Sequence, residues 1–410
     1  MKKNLLVAQS GGPSAAINAT LCGVVEMGLA NEEIGKIYGV RNGIMGLLSE
    51  RLVELDELLA EASDRQLLCQ TPSSVLGSCR MKLSPWEEST YEYEKVLAVL
   101  QRYNIGYFVF IGGGDSMDTV GKLAQYCRDH HYDIKIVGAP KTIDNDLEGT
   151  DHAPGFGSAA KYIGTTFSEI ACDCNVYALP SITIVEIMGH DAGWLTAASA
   201  LARINEDGAP DLIYLCEKPF SIDQFLFDVR EKMMEKRSVI VAVSEGLRDE
   251  NGTRIVDILQ EQAEEALGYK VASGIAQGLE EIVRQEIGCK VRGIELNLMQ
   301  RCASHAASLV DIEEAKRLGY EAAAFAVKGG TGEMACLRRI SNAPYETEVF
   351  FVPVEEILGR SKQVPLEWIN MEGNDITQEM MDYLLPLIQG ELPCTYHNGV
   401  PVHFHLPTEK

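Results

Sequence analysis

The chain has 410 residues, of which 46% are hydrophobic, so it is long enough for two domains with an ample core. Its formal net charge of −24 argues against binding to nucleic acid or to an anionic membrane, because the phosphates of either would be repelled. The eleven cysteines lack the spacing of a zinc or redox site, which predicts free thiols. We expect a cytoplasmic protein, because the sequence shows no apolar signal segment after Met1 and no run long enough to span a bilayer.

Two predicted strands are each followed by a glycine-rich loop and a helix. The run Asn4–Gln9 leads into Ser10-Gly11-Gly12-Pro13-Ser14, and Tyr107–Ile111 leads into Gly112-Gly113-Gly114-Asp115-Ser116 before a helical stretch. Glycines let backbone N–H groups approach an anion closely, and the following helix presents free N–H groups and its positive dipole end. The pattern predicts a phosphate cradle, although glycines at such places can also serve only as tight-turn residues.

A third polar loop follows the predicted buried strand 134–138. Its sequence, Pro140-Lys141-Thr142-Ile143-Asp144-Asn145-Asp146, places a cation and two carboxylates where ligands bind in an open α/β sheet. One carboxylate can accept a proton from an attacking hydroxyl while the other holds a metal ion over a phosphate that the lysine grips. The alternative is a turn in which Asn145 and Asp146 bond their own backbone. Three polar loops after strands favour one shared anionic ligand.

The chain resembles the phosphofructokinase family in short motifs that occur in the family's order between residue 3 and about residue 340. More narrowly, it is similar to the pyrophosphate-dependent branch, since ATP-using members have glycine at the positions of Asp115 and Lys141. The matching motifs are Ser10-Gly11-Gly12, Leu76-Gly77-Ser78-Cys79-Arg80, Ile111-Gly112-Gly113, Thr142-Ile143-Asp144-Asn145-Asp146, Val185-Glu186-Ile187-Met188-Gly189, Val243-Ser244-Glu245 and Gln300-Arg301.

The resemblance implies a Mg²⁺-dependent transfer of a phosphoryl group from pyrophosphate to the C1 hydroxyl of fructose 6-phosphate. The products would be fructose 1,6-bisphosphate and phosphate, in a reversible step of glycolysis. Two other functions stay open, an ATP-dependent 6-phosphofructokinase and a regulatory, non-catalytic subunit of the same family. Sedoheptulose 7-phosphate stays open as the acceptor. Family members share arginines between subunits, so the resemblance also implies a homodimer or homotetramer.

Choice of donor has a physical rationale at Asp115 and Lys141. A carboxylate at Asp115 would intrude where the α-phosphate and ribose of ATP must pass, and like charges in a binding site cost on the order of several kcal/mol. Lys141 offers the smaller donor a charge-assisted contact, so repulsion and attraction act together. The alternative for Asp115 is to cap the helix that begins near Ser116.

Carried over residue by residue, the resemblance makes Asp144 the proton acceptor, acting with Lys141 and Asp115. It implies that Asp115 and Asp146 hold the magnesium. Pyrophosphate would be bound by Gly12, Arg80, Gly113 and Lys141. The sugar phosphate would be bound by Thr142, Ile143, Asp144, Met188, Gly189, His190, Glu245, Arg292, Leu298, Gln300 and Arg301.

Four positions depart from the family pattern. Gly114 stands where most members have a magnesium-binding aspartate, so the metal site is either built from Asp115 and Asp146 with water or is weaker than in those members. His190 and Ser181 stand where relatives have arginines, and Leu298 replaces a histidine or tyrosine. The resemblance therefore implies fewer positive charges around the sugar phosphate than is usual in the family. His190 can still donate a hydrogen bond.

Strand-like runs alternate with helical stretches almost throughout the chain, which predicts a parallel-rich sheet covered by helices on both faces. The resemblance implies the phosphofructokinase fold, with two doubly wound, Rossmann-like α/β lobes and the site between them. We assign residues 1–155 and about 300–350 to the lobe for pyrophosphate and magnesium. Residues 156–299 and about 351–410 are assigned to the sugar-phosphate lobe.

Overall fold

The structure is a computed structural model that describes residues 2–176, 178–205, 208–267 and 274–407. The strands in chain order are β1 Lys3–Gln9, β2 Ile34–Val40, β3 Leu52–Glu54, β4 Ile105–Gly112, β5 Lys135–Pro140, β6 Ser181–Ile187, β7 Leu212–Tyr214, β8 Ser238–Ser244, β9 Lys290–Glu295, β10 Glu333–Asn342, β11 Tyr345–Pro353, β12 Tyr396–His397 and β13 Val400–Pro401. The α-helices are α1 Ile17–Ala30, α2 Gly43–Leu48, α3 Ala62–Gln70, α4 Tyr91–Arg102, α5 Gly114–Asp129, α6 Phe156–Cys174, α7 Trp194–Ala197, α8 Ile222–Glu235, α9 Ile255–Leu267, α10 Ile275–Glu286, α11 Met299–Cys302, α12 Leu309–Val327 and α13 Gln378–Leu384.

The first sheet has seven strands in the order β11-β10-β5-β4-β1-β2-β3. Its five central strands are parallel, and an antiparallel strand closes each edge. Successive residues of β1 alternate between two cores: Leu5 and Val7 pack towards α1 and α12, whereas Leu6 and Ala8 pack towards α4 and α5. Burial on both faces explains why this strand reads as an unbroken apolar run.

The second sheet has four parallel strands in the order β7-β8-β6-β9. Val185 and Ile187 of β6 pack on the face that carries α6, whereas Ile182 and Ile184 pack on the face that carries α8 and α10. Both sheets are therefore covered by helices on both faces, as the alternating sequence pattern predicts.

The chain passes between the lobes more than once. After the second sheet it returns with α12, β10 and β11 to the first lobe, and residues 364–387 then pack in the core around α6. Residues of about 351–410 are predicted to belong to the sugar-phosphate lobe, but the last described residues of this range pack on the first lobe instead. Gln70 bonds the backbone of Thr395 and Val402, and Phe404 lies in the core beside α1. Among the described helices, none is both long and apolar enough to cross a membrane.

Candidate active site

The first glycine loop, after β1, lies against two cations. It turns at Gly11, whose φ of +78° lies in the left-handed region that glycine adopts without strain. The Lys141 ammonium donates a hydrogen bond to the carbonyl of Gly12. A Cβ atom on Gly11 would lie 3.2 Å from Lys141 Nζ, and one on Gly12 would lie 3.8 Å from a guanidinium nitrogen of Arg301. This arrangement favours a bound anion.

The second glycine loop, between β4 and α5, adjoins the same lysine. The N–H of Lys141 donates to the carbonyl of Gly112 at 2.9 Å, and a Cβ atom on Gly113 would lie 3.8 Å from the carbonyl oxygen of Lys141. Helix α5 begins at Gly114, so the positive end of its dipole lies at this loop. The parallel order of β1, β4 and β5 thus brings all three polar loops to one edge of the first sheet.

Asp115 lies in the first turn of α5, in a setting different from that of Lys141. Its side chain is 64% exposed and its carboxylate pairs with Lys82 at 2.7 Å, whereas Lys141 is only 2% exposed. The N-cap of α5 is Gly113 without a side-chain cap, so the alternative of Asp115 as a capping residue is wrong. A carboxylate in the first turn still stabilises the helix N-terminus.

The turn 142–146 directs its side chains alternately. Asn145 is completely buried and adopts φ +55°, which is uncommon for a residue with a side chain. Its Oδ1 accepts a hydrogen bond from the N–H of Ala153 at 3.0 Å, so the alternative of a purely local turn is wrong for Asn145. Asp144 and Asp146, on either side of it, are partly buried, and the N–H of Asp144 donates to Thr142 Oγ1 at 3.1 Å. Ile143 packs in the core of the second lobe.

Burial and neighbouring charges shift the pKa values of Asp144 and Lys141. Burial raises the pKa of Asp144 to about 7, the carboxylates of Asp146 and Glu245 add to this effect, and Lys141 and Arg301 oppose it. Burial lowers the pKa of Lys141 to about 8 against the pull of the two aspartates. A carboxylate whose pKa lies near neutrality is suited to general base catalysis.

The acceptor side is built at the carboxyl ends of β6 and β8. These neighbouring strands end in register, Ile187 beside Ser244, which places Met188 and Gly189 beside Glu245. The N–H of Gly189 donates to Glu245 Oε1 at 3.2 Å. Ile187 and Met188 pack in the same core as Ile143, so the acceptor side adjoins the turn.

Gln300 and Arg301 join the site from α11. Gln300 is buried and its Oε1 accepts a hydrogen bond from the N–H of Met188 at 3.3 Å. Arg301, next in sequence, reaches the first glycine loop and affects the pKa of both Lys141 and Asp144. This short helix therefore connects the acceptor side with the donor side.

Arg292 lies apart from this cluster. It is exposed on the edge strand β9 and pairs in register with Thr183, four residues before the carboxyl end of β6 at Ile187. That separation corresponds to roughly 13 Å along the strand. Its guanidinium lies 3.6 Å from the carboxylate of Asp173, in a shallow pocket that also contains Ser181. Arg292 and Arg301 therefore do not converge within one chain, contrary to the prediction that both bind the same sugar phosphate.

Three other predicted residues are exposed. Leu298 is 53% exposed at the N-terminus of α11, and His190 is exposed after Gly189. Arg80 is exposed at the end of a loop that bonds the first glycine loop, since Ser78 Oγ donates to the carbonyl of Gly11 at 2.6 Å. The fold thus places Arg80 beside the donor loops, where its side chain is free to reach a ligand from solvent.

Two carboxylates at the donor loops could hold a cation. A Cβ atom on Gly114 would lie 3.8 Å from Leu147 Cδ2, so the chain just after Asp146 adjoins the start of α5, where Asp115 lies. No group of three or more His, Cys, Asp or Glu residues in the described part of the chain is arranged for a metal. Mg²⁺ characteristically uses one or two carboxylates and completes its shell with water and substrate phosphates. The donor set fits that kind of binding.

Sequence reasoning missed Lys362 and Tyr383, which both contact the side chain of Asn145. They lie 217 and 238 residues further along the chain, in a segment without a recognisable motif. Lys362 stands between Ser361 and Gln363, so its surroundings in the sequence do not distinguish it from an exposed lysine.

Comparisons with known proteins agree on one family. The family model described as Phosphofructokinase matches residues 4–326. The chain is 38% identical over 406 residues to the pyrophosphate–fructose 6-phosphate 1-phosphotransferase of Xanthomonas campestris pv. campestris (strain B100), covering 98% of this chain and 96% of that protein. It is 37% identical over 401 residues to the protein of the same name from Halomonas elongata, covering 97% and 94%.

A solved structure shows the same similarity in three dimensions. The pyrophosphate-dependent phosphofructokinase from Nitrosospira multiformis superposes with a TM-score of 0.88 at 35% sequence identity. The alignment covers 100% of this chain and 98% of that one, so it includes the residues beyond the family match.

Proposed function

The chain belongs to the phosphofructokinase family, and from this premise we propose that it transfers a phosphoryl group from pyrophosphate to the C1 hydroxyl of fructose 6-phosphate. The products are fructose 1,6-bisphosphate and phosphate. The predicted family, its pyrophosphate-dependent branch and the α/β fold are confirmed by the full-length relatives and the superposed structure. The roles of individual residues remain proposals, supported by the geometry of the site.

One observation carries the assignment of roles: the turn that contains Asp144 connects the donor loops with the acceptor side. Lys141 bonds Gly12 of the first glycine loop, and Ile143 packs in the same core as Ile187 and Met188 of the acceptor side. We propose that Asp144 accepts the proton of the C1 hydroxyl as that oxygen bonds to one phosphorus of pyrophosphate. The bond from that phosphorus to the bridging oxygen breaks, and the second phosphate leaves.

Lys141, Arg301 and the backbone of the two glycine loops would hold pyrophosphate during this transfer. Lys141 is buried and already bonds Gly12, so it is fixed before the substrate binds. Phosphoryl transfer depends on positioning and on neutralising spread-out charge, which fixed cations supply. Asp115 would exclude the larger ATP, whose α-phosphate it would repel.

We propose that Asp146 and Asp115 hold Mg²⁺ together with water and the phosphates of pyrophosphate. When bound, the ion would neutralise part of the phosphate charge. To bind Mg²⁺, Asp115 would have to give up its exposed ion pair with Lys82, and such pairs contribute only about 0–1 kcal/mol. Equilibrium dialysis of Mg²⁺ with the Asp146→Asn variant, with and without pyrophosphate, tests this assignment.

We also propose a homodimer or homotetramer. Arg292 lies on the exposed edge strand β9 and Ser181 at the start of the neighbouring strand β6, both away from the site of their own chain. The family resemblance implies that arginines there serve the site of a second subunit. A mixture of Arg292→Ala and Asp144→Asn subunits, dissociated and reassembled, should regain activity that neither variant has alone. No gain after mixing would contradict a shared site.

A cytoplasmic location remains a prediction. All eleven cysteines are free, which agrees with a reducing compartment.

The donor assignment is tested by assaying the purified protein with Mg²⁺, fructose 6-phosphate and either pyrophosphate or ATP. We expect turnover with pyrophosphate and at least 100-fold less with ATP, since each ~1.4 kcal/mol of discrimination is tenfold. Turnover with ATP alone would identify the ATP-dependent enzyme instead. Binding of fructose 1,6-bisphosphate without transfer from either donor would identify a regulatory subunit, and the same assay with sedoheptulose 7-phosphate determines the acceptor.

A further inference from the structure

The turn 142–146 is held from the far end of the chain. Asn145 Nδ2 donates to the Tyr383 hydroxyl at 2.9 Å, and that hydroxyl donates to the carbonyl of Asp151 at 2.7 Å. Tyr383 therefore joins the turn to the chain that follows it. Since Asn145 stands between Asp144 and Asp146, any movement of its side chain moves the backbone that carries both carboxylates.

Lys362 bonds the same stretch at several points. Its N–H donates to the carbonyl of Asp146 at 2.8 Å, and its ammonium donates to Asn145 Oδ1 at 3.4 Å and to the carbonyl of Thr150 at 3.2 Å. The ammonium also donates to the carbonyl of Asp151. One side chain thus spans residues 145–151.

Lys362 and Tyr383 are themselves fixed in the core of the second lobe. The indole N–H of Trp194 donates to the carbonyl of Lys362 at 3.0 Å, and the ammonium lies 5.0 Å from the centre of the Trp194 ring. Tyr383 is 7% exposed and lies 5.2 Å from Trp194, between ring centres. Val364 and Leu384, close to these two residues in sequence, are buried in the same core. The anchors are therefore rigid.

We propose that Lys362 and Tyr383 are positioning residues, which set the orientation of Asp144 and Asp146 through Asn145 and its neighbouring backbone. The proposal rests on the proposed phosphotransferase function for its kinetic consequences. Both residues lie beyond residue 326, where the family match ends. Their contribution is thus a property of the C-terminal part of this chain.

The backbone conformation explains why such anchors are needed. A non-glycine residue seldom adopts the left-handed region and persists there only where its surroundings hold it. Without Lys362 or Tyr383, the turn can relax and the carboxylates move. A displacement of about 1 Å at a reacting group can cost on the order of 100-fold in rate.

The test compares Lys362→Met and Tyr383→Phe with wild type. We expect kcat to fall about 10- to 100-fold in each variant, while KM for both substrates changes less than about threefold, because most of the proposed substrate contacts lie outside the turn. Lys161→Met is the matched control, since the Lys161 ammonium also bonds a backbone carbonyl, that of Gly390, and the carboxylate of Glu391, and both partners lie outside the turn. We expect its kcat to match that of wild type.

A double-mutant cycle tests whether Tyr383 acts through Asn145. In an Asn145→Gly background, which keeps the left-handed backbone but removes the side chain, Tyr383→Phe should change kcat by less than about twofold. An undiminished effect would overturn the proposed route. A lowered melting temperature with unchanged kcat in the folded enzyme would also overturn the proposal and leave a structural role.

Hydrogen exchange gives a readout that does not depend on turnover. Backbone amides of residues 142–150 should exchange at least tenfold faster in Lys362→Met and Tyr383→Phe, and at the wild-type rate in Lys161→Met. Unchanged exchange in the first two variants would overturn the proposal even if the enzyme used another donor. Absence of wild-type turnover together with faster exchange would contradict the proposed function only. If Lys362→Met fails to fold, Tyr383→Phe decides.

Discussion

The buried charge of Asp144 destabilises the folded protein, and the proposed role of Asp144 as a proton acceptor explains why it is present. Burial raises the pKa of this carboxyl to about 7, so at pH 8 the folded protein keeps a charge where water is scarce. We expect Asp144→Asn to lower kcat about 10²- to 10⁴-fold, the usual contribution of a general base. The melting temperature at pH 8 should not fall, because the amide carries no charge. Steady-state kinetics and calorimetry check both outcomes.

Asp133→Asn is the matched control for this substitution. Asp133 pairs with Lys135 at 3.1 Å and its side chain is 83% exposed, so neither rate nor stability should change measurably. If Asp144→Asn retains more than a tenth of the wild-type kcat, another group must accept the proton.

Asp115→Gly should begin to admit ATP. The substitution removes an exposed carboxylate whose ion pair with Lys82 contributes about 0–1 kcal/mol, so the protein should stay folded. We expect the ratio of kcat/KM for ATP to kcat/KM for pyrophosphate to rise at least tenfold, since both volume and negative charge are lost, whereas loss of a proposed Mg²⁺ ligand affects both donors. Asp115→Asn separates the two effects, because it keeps the volume and removes the charge. No gain with ATP in either variant would contradict the proposed basis of donor choice.

At the scale of single elements, the first glycine loop has little room for a side chain. A methyl group on Gly11 would meet Lys141 Nζ at 3.2 Å, in a backbone conformation with φ +78°. We expect Gly11→Ala to raise KM for pyrophosphate about tenfold, because the ammonium must shift away from the loop. Its free energy of unfolding should fall by about 1–2 kcal/mol from backbone strain.

Gly359→Ala isolates the backbone effect. Gly359 has φ +74° and no heavy atom within 4 Å of the added carbon, so this variant should lose similar stability without a change in KM. Equal KM values for the two variants would show that a methyl group at Gly11 does not displace the Lys141 ammonium from pyrophosphate. Denaturant unfolding and pyrophosphate titrations provide the two measurements.

The elements that carry the donor site could be predicted because each leaves a local signal. The strands β1 and β4 are buried on both faces and read as apolar runs, and the glycines after them mark the loops. The cap of α5 could not be predicted, since Asp115 and Gly113 are both acceptable N-cap residues. The two-residue strands β12 and β13 are too short for any periodicity.

At the scale of the whole molecule, a buried ionic network joins α12 to the chain after the turn. His152 lies between Asp151, at 2.8 Å, and Glu314, at 2.7 Å. Burial alone would lower the pKa of His152, but Glu314 and Asp151 outweigh it and raise the pKa to about 9. The folded state thus binds a proton that an unfolded histidine, with its ordinary value of 6.5, loses near neutrality.

Stability should therefore fall as the pH rises from about 6.5 to about 9. The stabilisation by protonated His152 is fully present below pH 6.5, is lost on approaching pH 9, and is on the order of 3 kcal/mol. We expect the melting temperature of wild type to drop over this interval, and that of His152→Gln to depend much less on pH. His305→Gln, at an exposed position, should behave like wild type. Identical pH profiles for wild type and His152→Gln would contradict a charged His152.

The sequence predicts two α/β lobes, since alternating strands and helices leave few other arrangements. It also indicates which residues gather at the carboxyl ends of the strands, as Met188, Gly189 and Glu245 do. It could not place Arg292, because the position of a residue along an edge strand depends on register rather than on motif. Contacts such as that of Lys362 with Asn145 join parts of the chain that are distant in sequence, and neither part carries a sequence pattern that predicts the contact.

The return of β10 and β11 to the first sheet has a consequence for synthesis on the ribosome. The second sheet comes from one continuous stretch, between Ser181 and Glu295, whereas β5 gains its outer neighbour only when Glu333 and Met334 have been made. A nascent chain therefore carries an unpaired parallel edge through nearly half of its translation. Such an edge can pair with another unfinished chain, so cooler expression and slower translation should favour the yield of native enzyme.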